Sequence, residues 1–377
     1  MAGAKDGNFK ELISPFLKAK IAEAEATWGA ESAQVLALTR QYVKDPLENL
    51  VRPIERRRHY ESEVSLEYLG RKLVGVERLY RRTILIEPST VCAAHCRWCL
   101  RGQYPVQTMT RDDIVHAARY IGSEAQRGDL DEVLITGGDP LMSLPLLRFT
   151  FEALESHAPN VRIVRIGSRV PFQDPDRIND AMLEMFASFK GFRFEIGVNV
   201  NHPVEFWSES VESIRRLQAI GVRFYNQHPL LKGVNDDLET LVEHYALLRD
   251  NDIEAHYLFH AIPMRGMNHH RTSVDRGLEL ATALSSCGEF SGRAKPHYAV
   301  LSDIGKIVLY HDSIVERRPA EQSLLLRSGF NIHDRKKWNP SWQKPESAVV
   351  LNDGTMLTWY LDGTDETDAE LAAAHAS

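Results

Sequence analysis

Residues 83–99 read TILIEPSTVCAAHCRWC. The first half is an apolar, β-branched run, the composition of a strand buried in a sheet. The second half sets Cys92, Cys96 and Cys99 in the loop directly after it, with spacing C-x3-C-x2-C. Thiolates are soft ligands suited to iron–sulfur clusters and to zinc. Structural zinc prefers four protein ligands; only three cysteines are close here, with His95 in principle a fourth. Three ligands on a four-iron cluster leave one iron open to a small molecule. A zinc site and three unligated core cysteines stay open as alternatives. The chain has four cysteines, too few for a disulfide framework, and Cys287, which stands apart, reads as a small core residue.

Outward from this stretch the pattern repeats. Candidate strands follow at Glu132–Thr136, Arg162–Ile166, Arg193–Val198, Val222–Gln227 and Glu254–His260. After the second strand they recur at roughly 30-residue intervals, the length of one βα unit. Helical periodicity fills the gaps at Thr110–Glu124, Asp174–Phe189, Ser208–Ile220, Asp237–Arg249 and Thr272–Leu284. Thr110 begins the first with a hydroxyl cap and acids in its first turn. The expected fold is α/β: a partial (β/α)6 TIM-like barrel, whose chemistry gathers at the C-terminal strand ends. Helices at Phe9–Trp28 and Ala30–Tyr42 form an N-terminal extension, followed by a charged link around residues 55–60. Strands at His297–Leu301, Lys306–Tyr310, Ala348–Asn352 and Met356–Tyr360, with a turn at Asn352-Asp353-Gly354, form a β-rich C-terminal extension with frayed last residues. The expected division is 1–75, 76–294 and 295–377.

Composition removes other classes. A 377-residue chain suggests two to three modules, or one large barrel with additions. At 43% hydrophobic and 26% charged it is neither disordered nor fibrous. A net charge of -7 offers phosphate backbones no general attraction, so nucleic acid is not an expected partner. No apolar stretch approaches the ~18 residues of a membrane span, and Met1 to Lys10 lacks a signal peptide's apolar core. The expected location is cytoplasmic, with no membrane partner.

A second motif, Thr136-Gly137-Gly138-Asp139-Pro140-Leu141, ends the second strand. It is compatible with a plain tight turn. Its glycines would also let backbone approach a ligand, and Asp139 could hold a cation. The cysteine spacing after a first barrel strand, with this turn some way beyond it, resembles the radical S-adenosyl-L-methionine (SAM) superfamily. That resemblance implies a 4Fe-4S cluster on Cys92, Cys96 and Cys99, and SAM on the open iron, near Gly137, Gly138 and Asp139. It further implies a 5′-deoxyadenosyl radical that abstracts hydrogen, chemistry that side chains cannot supply. Ser168, Arg169, His202 and Gln227, at strand ends, are candidates for polar contacts with SAM. His95 and Trp98 are expected to shape the cluster's surroundings.

The segments Arg165-Ile-Gly-Ser168-Arg169, Val200-Asn201-His202-Pro203, Asn226-Gln227, Leu231-Lys-Gly-Val-Asn235-Asp236 and His270-Arg271-Thr272 occur in this order. With the ending Val349 to Tyr360 they resemble the lysine 2,3-aminomutase family. The resemblance implies pyridoxal 5'-phosphate (PLP) held by a lysine at the barrel mouth, and migration of an amino group between adjacent carbons. It places Lys306 as the PLP lysine, Arg101 against the substrate carboxylate and Tyr80 near PLP. It also implies an external electron donor such as flavodoxin or ferredoxin, and a homo-oligomer.

The chain departs from that pattern. Thr83 stands where the family has its PLP-phosphate arginine, with Arg81 and Arg82 beside it. Ile262 and Leu301 stand where two aspartates hold the lysine ammonium. A buried ammonium without an acid is unfavourable, so the expected substrate is an amino acid or amine other than free L-lysine, with Arg265, His269 and His270 as recognition candidates. Two further readings remain: a PLP-independent radical SAM enzyme on the same scaffold (dehydrogenation, elimination or epimerisation), and a non-catalytic Fe–S sensor.

Overall fold

The first helix of the computed structural model, α1 (Pro15–Trp28), begins at a serine–proline signal. Ser14 Oγ accepts from Leu17 N–H at 3.1 Å, and Pro15 occupies the first turn, where a missing N–H does no harm. The helix therefore starts later than its apolar periodicity suggests. Likewise α2 (Ala33–Tyr42) starts from a Ser32 cap. The structure describes residues 10–51, 66–100 and 108–376. The link at 55–60 and Arg101 lie outside the described residues.

A small hairpin of β1 (Glu67–Tyr68) and β2 (Arg71–Lys72) precedes β3 (Val76–Glu77), which runs antiparallel to β4 (Thr83–Ser89). Strands and helices then alternate: α3 (Arg111–Ile121), β5 (Glu132–Gly137), α4 (Leu144–His157), β6 (Ile163–Gly167), the short α5 (Val170–Gln173), α6 (Asp180–Ser188) and β7 (Arg193–Val198). Next come α7 (Ser208–Ala219), β8 (Arg223–Leu230), α8 (Leu238–Asp250), β9 (Ile253–His260), α9 (Val274–Ser286), β10 (His297–Ser302) and β11 (Gly305–Val308). Helix α4 is hidden in the sequence because LPLLRFTF is apolar without a clear period. The helix expected over 174–189 is interrupted by Pro175, and α6 restarts from an Asn179 cap.

These strands form one nine-stranded sheet in the order β11-β10-β9-β8-β7-β6-β5-β4-β3. Strands β4 to β10 are parallel; β3 and β11 are antiparallel edges. The sheet is the expected partial barrel, lengthened by β10 and β11 from the stretch read as an extension. Register aligns Ile84, Val133, Val164 and Phe194 in one buried row packed under the helices, and Phe224 stands opposite Ile196 on the same face. Phe151 of α4 meets Phe194 with ring centroids 5.0 Å apart; burying such a ring stabilises by roughly 1.5–3 kcal/mol. The opposite face carries Leu134, Arg165 and Glu195, aligned in register and only partly buried, and forms the wall of the site.

A second sheet, ordered β12-β13-β15-β14, is built from β12 (Ile314–Arg318), β13 (Ser323–Asn331), β14 (Ala348–Val350) and β15 (Thr355–Leu361), with α10 (Ile332–Trp338) between β13 and β14. The Asn352-Asp353-Gly354 turn joins β14 to β15 as expected, with Leu351 N–H donating to Thr355 O at 2.9 Å. Buried Arg271 ties this sheet to the barrel through Leu361 O (2.6 Å), Asp362 O (3.0 Å) and Ala261 O (3.0 Å). Where fraying was expected, the described residues form α11 (Asp368–Ala376), which starts at a Thr367–Glu370 cap, buries Leu371 and pairs Asp368 with Arg40 at 2.6 Å. No helix among the described residues is long and apolar enough to cross a membrane.

Candidate functional site

Strand β4 leads through Ser89 into the loop carrying Cys92, Cys96 and Cys99, all partly buried. The Gly137-Gly138 turn at the end of β5 lies against that loop. Gly138 N–H donates to Ser89 O at 2.7 Å and Asp139 N–H to Val91 O at 2.8 Å. A Cβ on Gly137 would stand 2.3 Å from Ser89 O, and one on Gly138 would stand 2.3 Å from Thr90 C. Gly137 also has φ +122, a conformation that favours glycine. On the side where a Cβ would stand, both glycines meet the backbone leading to Cys92.

Asp139 is likewise occupied by the protein. Its buried carboxylate accepts from Leu141 N–H (3.0 Å), Ser168 Oγ (2.8 Å), Arg169 N–H (2.7 Å) and Val170 N–H (3.1 Å). Burial lifts its pKa above the usual carboxylate range, against the pull of these donors. Asp139 and Ser168 form a node joining the ends of β5 and β6, with these donors in place of the proposed ammonium.

Arg169, just beyond that node, points back at the cysteine loop. Its Nη1 donates to Cys96 Sγ at 3.0 Å and its Nη2 to Glu205 Oε1 at 2.7 Å and Gln41 Oε1 at 3.1 Å. Its guanidinium lies 5.2 Å from the Tyr42 ring centroid and 5.1 Å from that of Trp98. Burial works against its charge, but Cys96, Tyr42 and Glu205 raise its pKa overall. Gln173 Nε2 adds a longer contact to Cys96 Sγ at 3.5 Å. For Cys92, burial pushes the thiol up and the negative charges of Cys99, Asp139 and Cys96 push it further. An iron cluster would supply the positive charge that favours the Cys92 thiolate. Among the described residues, no three His, Cys, Asp or Glu side chains converge as one metal ion requires.

The residues between the cysteines are anchored away from them. His95 N–H donates to Leu12 O at 2.8 Å, and its Nδ1 lies 2.7 Å from Lys10 O. Arg97 N–H donates to Gln41 O at 3.0 Å, and its Nε to Glu48 Oε1 at 2.7 Å. Trp98 packs on Ala37, Leu231, Val234 and Ala261. Nearby, Thr90 Oγ1, Asn199 Oδ1, Gln227 Oε1 and Arg169 Nε are buried without a hydrogen-bond partner among the described residues. Such orphaned atoms at strand ends fit a polar cofactor. His202 serves the chain itself: its Nδ1 accepts from Val204 N–H at 3.1 Å, capping the next turn.

Lys306 and Tyr80 meet at the far edge of the sheet. Lys306 N–H donates to Tyr80 Oη at 3.4 Å, and Lys306 Nζ lies 5.2 and 5.3 Å from the Tyr257 and Phe259 ring centroids. Burial pushes the Tyr80 hydroxyl up to about 12. Leu301 is the register partner of Lys306. Arg81 and Arg82 do not turn inward; they pair with Asp129 and Asp131, with 68% and 69% of their side chains exposed. Arg165 instead lies on the inner face, bonded to Glu132 at 2.8 Å and to Tyr225 Oη at 2.8 Å. His269 and His270 are buried, and burial lowers both, His269 to about 4; Arg265 is exposed. Gln41 and Glu205 were not singled out by motif, and Arg165 was quoted only as the start of the segment Arg165-Ile-Gly-Ser168-Arg169, with no role of its own. Glu205 lay three residues from His202, within reach of a helix-cap reading, whereas Gln41 carries no local signal.

The "Radical SAM superfamily" model matches residues 86–245. A protein of Aquifex aeolicus (strain VF5) named "Putative L-lysine 2,3-aminomutase" is 31% identical over 327 residues, covering 81% of this chain and 86% of its own. The "L-lysine 2,3-aminomutase" of Methanococcus maripaludis is 31% identical over 232 residues, 60% of this chain and 52% of its own. The "Glutamate 2,3-aminomutase" of Clostridioides difficile (strain 630) is 28% identical over 281 residues, 72% of this chain and 64% of its own.

Proposed function

We propose, from the premise that this chain belongs to the lysine 2,3-aminomutase-like family of radical SAM enzymes, that Cys92, Cys96 and Cys99 hold its 4Fe-4S cluster and that it moves an amino group within a small amino acid. The family makes it an enzyme of the isomerase kind and implies the cluster and SAM as cofactors. Cluster and SAM together supply a 5′-deoxyadenosyl radical, which removes a hydrogen that no side chain can take. The observation that carries the reading is the thiol trio at the end of β4, with charged Arg169 donating to Cys96.

The chain's own groups have separable tasks. Gly137 and Gly138 seat the cysteine loop on β5, and the Asp139–Ser168 node holds β6 beside it. Thr90, Asn199 and Gln227 offer acceptors to SAM's donors. PLP, when bound, supplies a conjugated system beside the substrate nitrogen. Lys306 is its amine, placed over the Tyr257 and Phe259 rings and held at its backbone by Tyr80. Arg165, not Arg81 or Arg82, is the arginine on that wall. Arg101 remains the partner for the substrate carboxylate. With Ile262 and Leu301 at the positions of the family's acids, the substrate is not free L-lysine. A one-electron donor such as flavodoxin or ferredoxin, a homo-oligomer and a cytoplasmic location complete the proposal.

A second reading, a radical SAM enzyme without PLP, is favoured by Thr83 at the phosphate-arginine position and the outward pairing of Arg81 and Arg82. Anaerobic protein given SAM and a reductant should form 5′-deoxyadenosine, and Cys96→Ser should abolish this. Protein-bound PLP absorbance that disappears in Lys306→Ala supports the first reading; 5′-deoxyadenosine without PLP uptake supports the second. Zinc, or no metal, in place of iron and sulfide refutes both.

A further inference from the structure

The side chain behind Arg169 is as deeply buried as any in the site. Glu205 is 0% exposed, and five donors converge on its carboxylate. They are Asn201 N–H (2.8 Å), His202 N–H (3.1 Å), Gln41 Nε2 (3.3 Å), Tyr42 Oη (3.4 Å) and Arg169 Nη2 (2.7 Å). Gln41, also 0% exposed, accepts in turn from Arg169 and from Asn201 Nδ2 at 2.7 Å. Arg169 is therefore clamped by Glu205 and Gln41 on one side, with its free fork arm on Cys96 Sγ at 3.0 Å. Four separate parts of the chain meet here: α2, the cysteine loop, and the segments after β6 and β7.

We propose that Arg169 and Glu205 act as an opposed pair of charges that sets the reduction potential of the cluster, Arg169 raising it and Glu205 lowering it. The inference rests on the cluster assignment given under Proposed function. In the step concerned, the external one-electron donor is oxidised and the cluster gains that electron; the step as written transfers no proton. The added charge spreads onto the cysteine sulfurs. A cationic N–H on one of them stabilises the reduced form more than the oxidised form, so it raises the potential. The carboxylate lies one residue further back and opposes this. Both charges sit away from water, where screening is weak. Glu205 acts through Arg169 and is a positioning residue; Gln41 gives the N-terminal helices a part in the same network.

The test is the cluster midpoint potential, measured by EPR-monitored redox titration of anaerobically reconstituted full-length protein, with iron and sulfide counted per chain. No turnover is required. Arg169→Gln removes the cation and should lower the potential. Glu205→Gln keeps the shape, removes the counter-charge and should raise it. Each shift should be at least tenfold in the reduced-to-oxidised ratio at fixed potential, about 59 mV for one electron. Arg169→Lys keeps the charge but loses the fork, and should fall between wild type and Arg169→Gln. If Arg169→Gln does not load, the opposite displacements of Arg169→Lys and Glu205→Gln carry the test. A merely structural role would alter loading, or move the variants in the same direction. Loaded variants with equal or same-sign potentials overturn the inference and leave the cluster assignment standing. Wild-type protein without iron and sulfide overturns both.

Discussion

Gly138→Ala separates two roles for the Gly-Gly turn: packing against the chain, or making room for a ligand. The new Cβ would stand 2.3 Å from Thr90 C and 2.4 Å from Val91 O. Carbon–carbon contacts are comfortable at about 3.5–4.0 Å, so the turn and the cysteine loop must part by roughly 1 Å or more. Both neighbours are backbone, which cannot swing aside as a long side chain does. Parting them strains two hydrogen bonds, Gly138 N–H to Ser89 O and Asp139 N–H to Val91 O. Overpacking of about 1–3 kcal/mol plus two bonds at about 0.5–1.5 kcal/mol each predicts a loss of roughly 2–6 kcal/mol. Urea unfolding of the apoprotein measures this, and iron content after anaerobic reconstitution should fall because Cys92 follows the displaced residues. Gly191→Ala, with nothing within 4 Å of its Cβ, is the control and should stay within about 0.5 kcal/mol of wild type. A Gly138→Ala apoprotein as stable as wild type, loading iron normally but binding SAM weakly, would refute the packing account in favour of ligand approach.

Three further outcomes follow from buried contacts. Burial lowers His228 from 6.5 to about 3, so the unfolded chain takes up its proton first as pH falls. The His228 contribution is therefore complete above pH ~6.5 and declines by roughly 2 kcal/mol by pH 5. Urea midpoints at pH 7.5 and 5 check the sign, and no decline would disprove it. Arg271→Met leaves the carbonyls of Ala261, Leu361 and Asp362 without their shared donor. At about 1–3 kcal/mol per stranded group, limited proteolysis should cut the C-terminal sheet first; unchanged cleavage would count against this role. Gly277→Ala places a Cβ 1.8 Å from Tyr298 Oη and should destabilise by about 1–3 kcal/mol. Adding Tyr298→Phe should recover part of that loss in thermal melts, and strict additivity would show that the two sites do not collide.

The features legible in the sequence were local ones. Three thiols with C-x3-C-x2-C spacing announce a soft-metal site because ligand type and loop length are properties of adjacent residues. Alternating strand and helix periods announced the partial barrel, and Asn352-Asp353-Gly354 announced its hairpin, for the same reason. Tertiary structure alone decided which distant groups meet. It put Gln41, Cys96, Arg169 and Glu205 in one network, although no spacing along the chain relates them. It gave β10 and β11 to the barrel sheet, and it turned Arg81 and Arg82 outward while Arg165 faced inward. It also showed that Gly137 and Gly138 accommodate the chain's own backbone. Such pairings follow from how the strands curl and stack once the sheet forms, and the order of residues within any one segment does not contain that information.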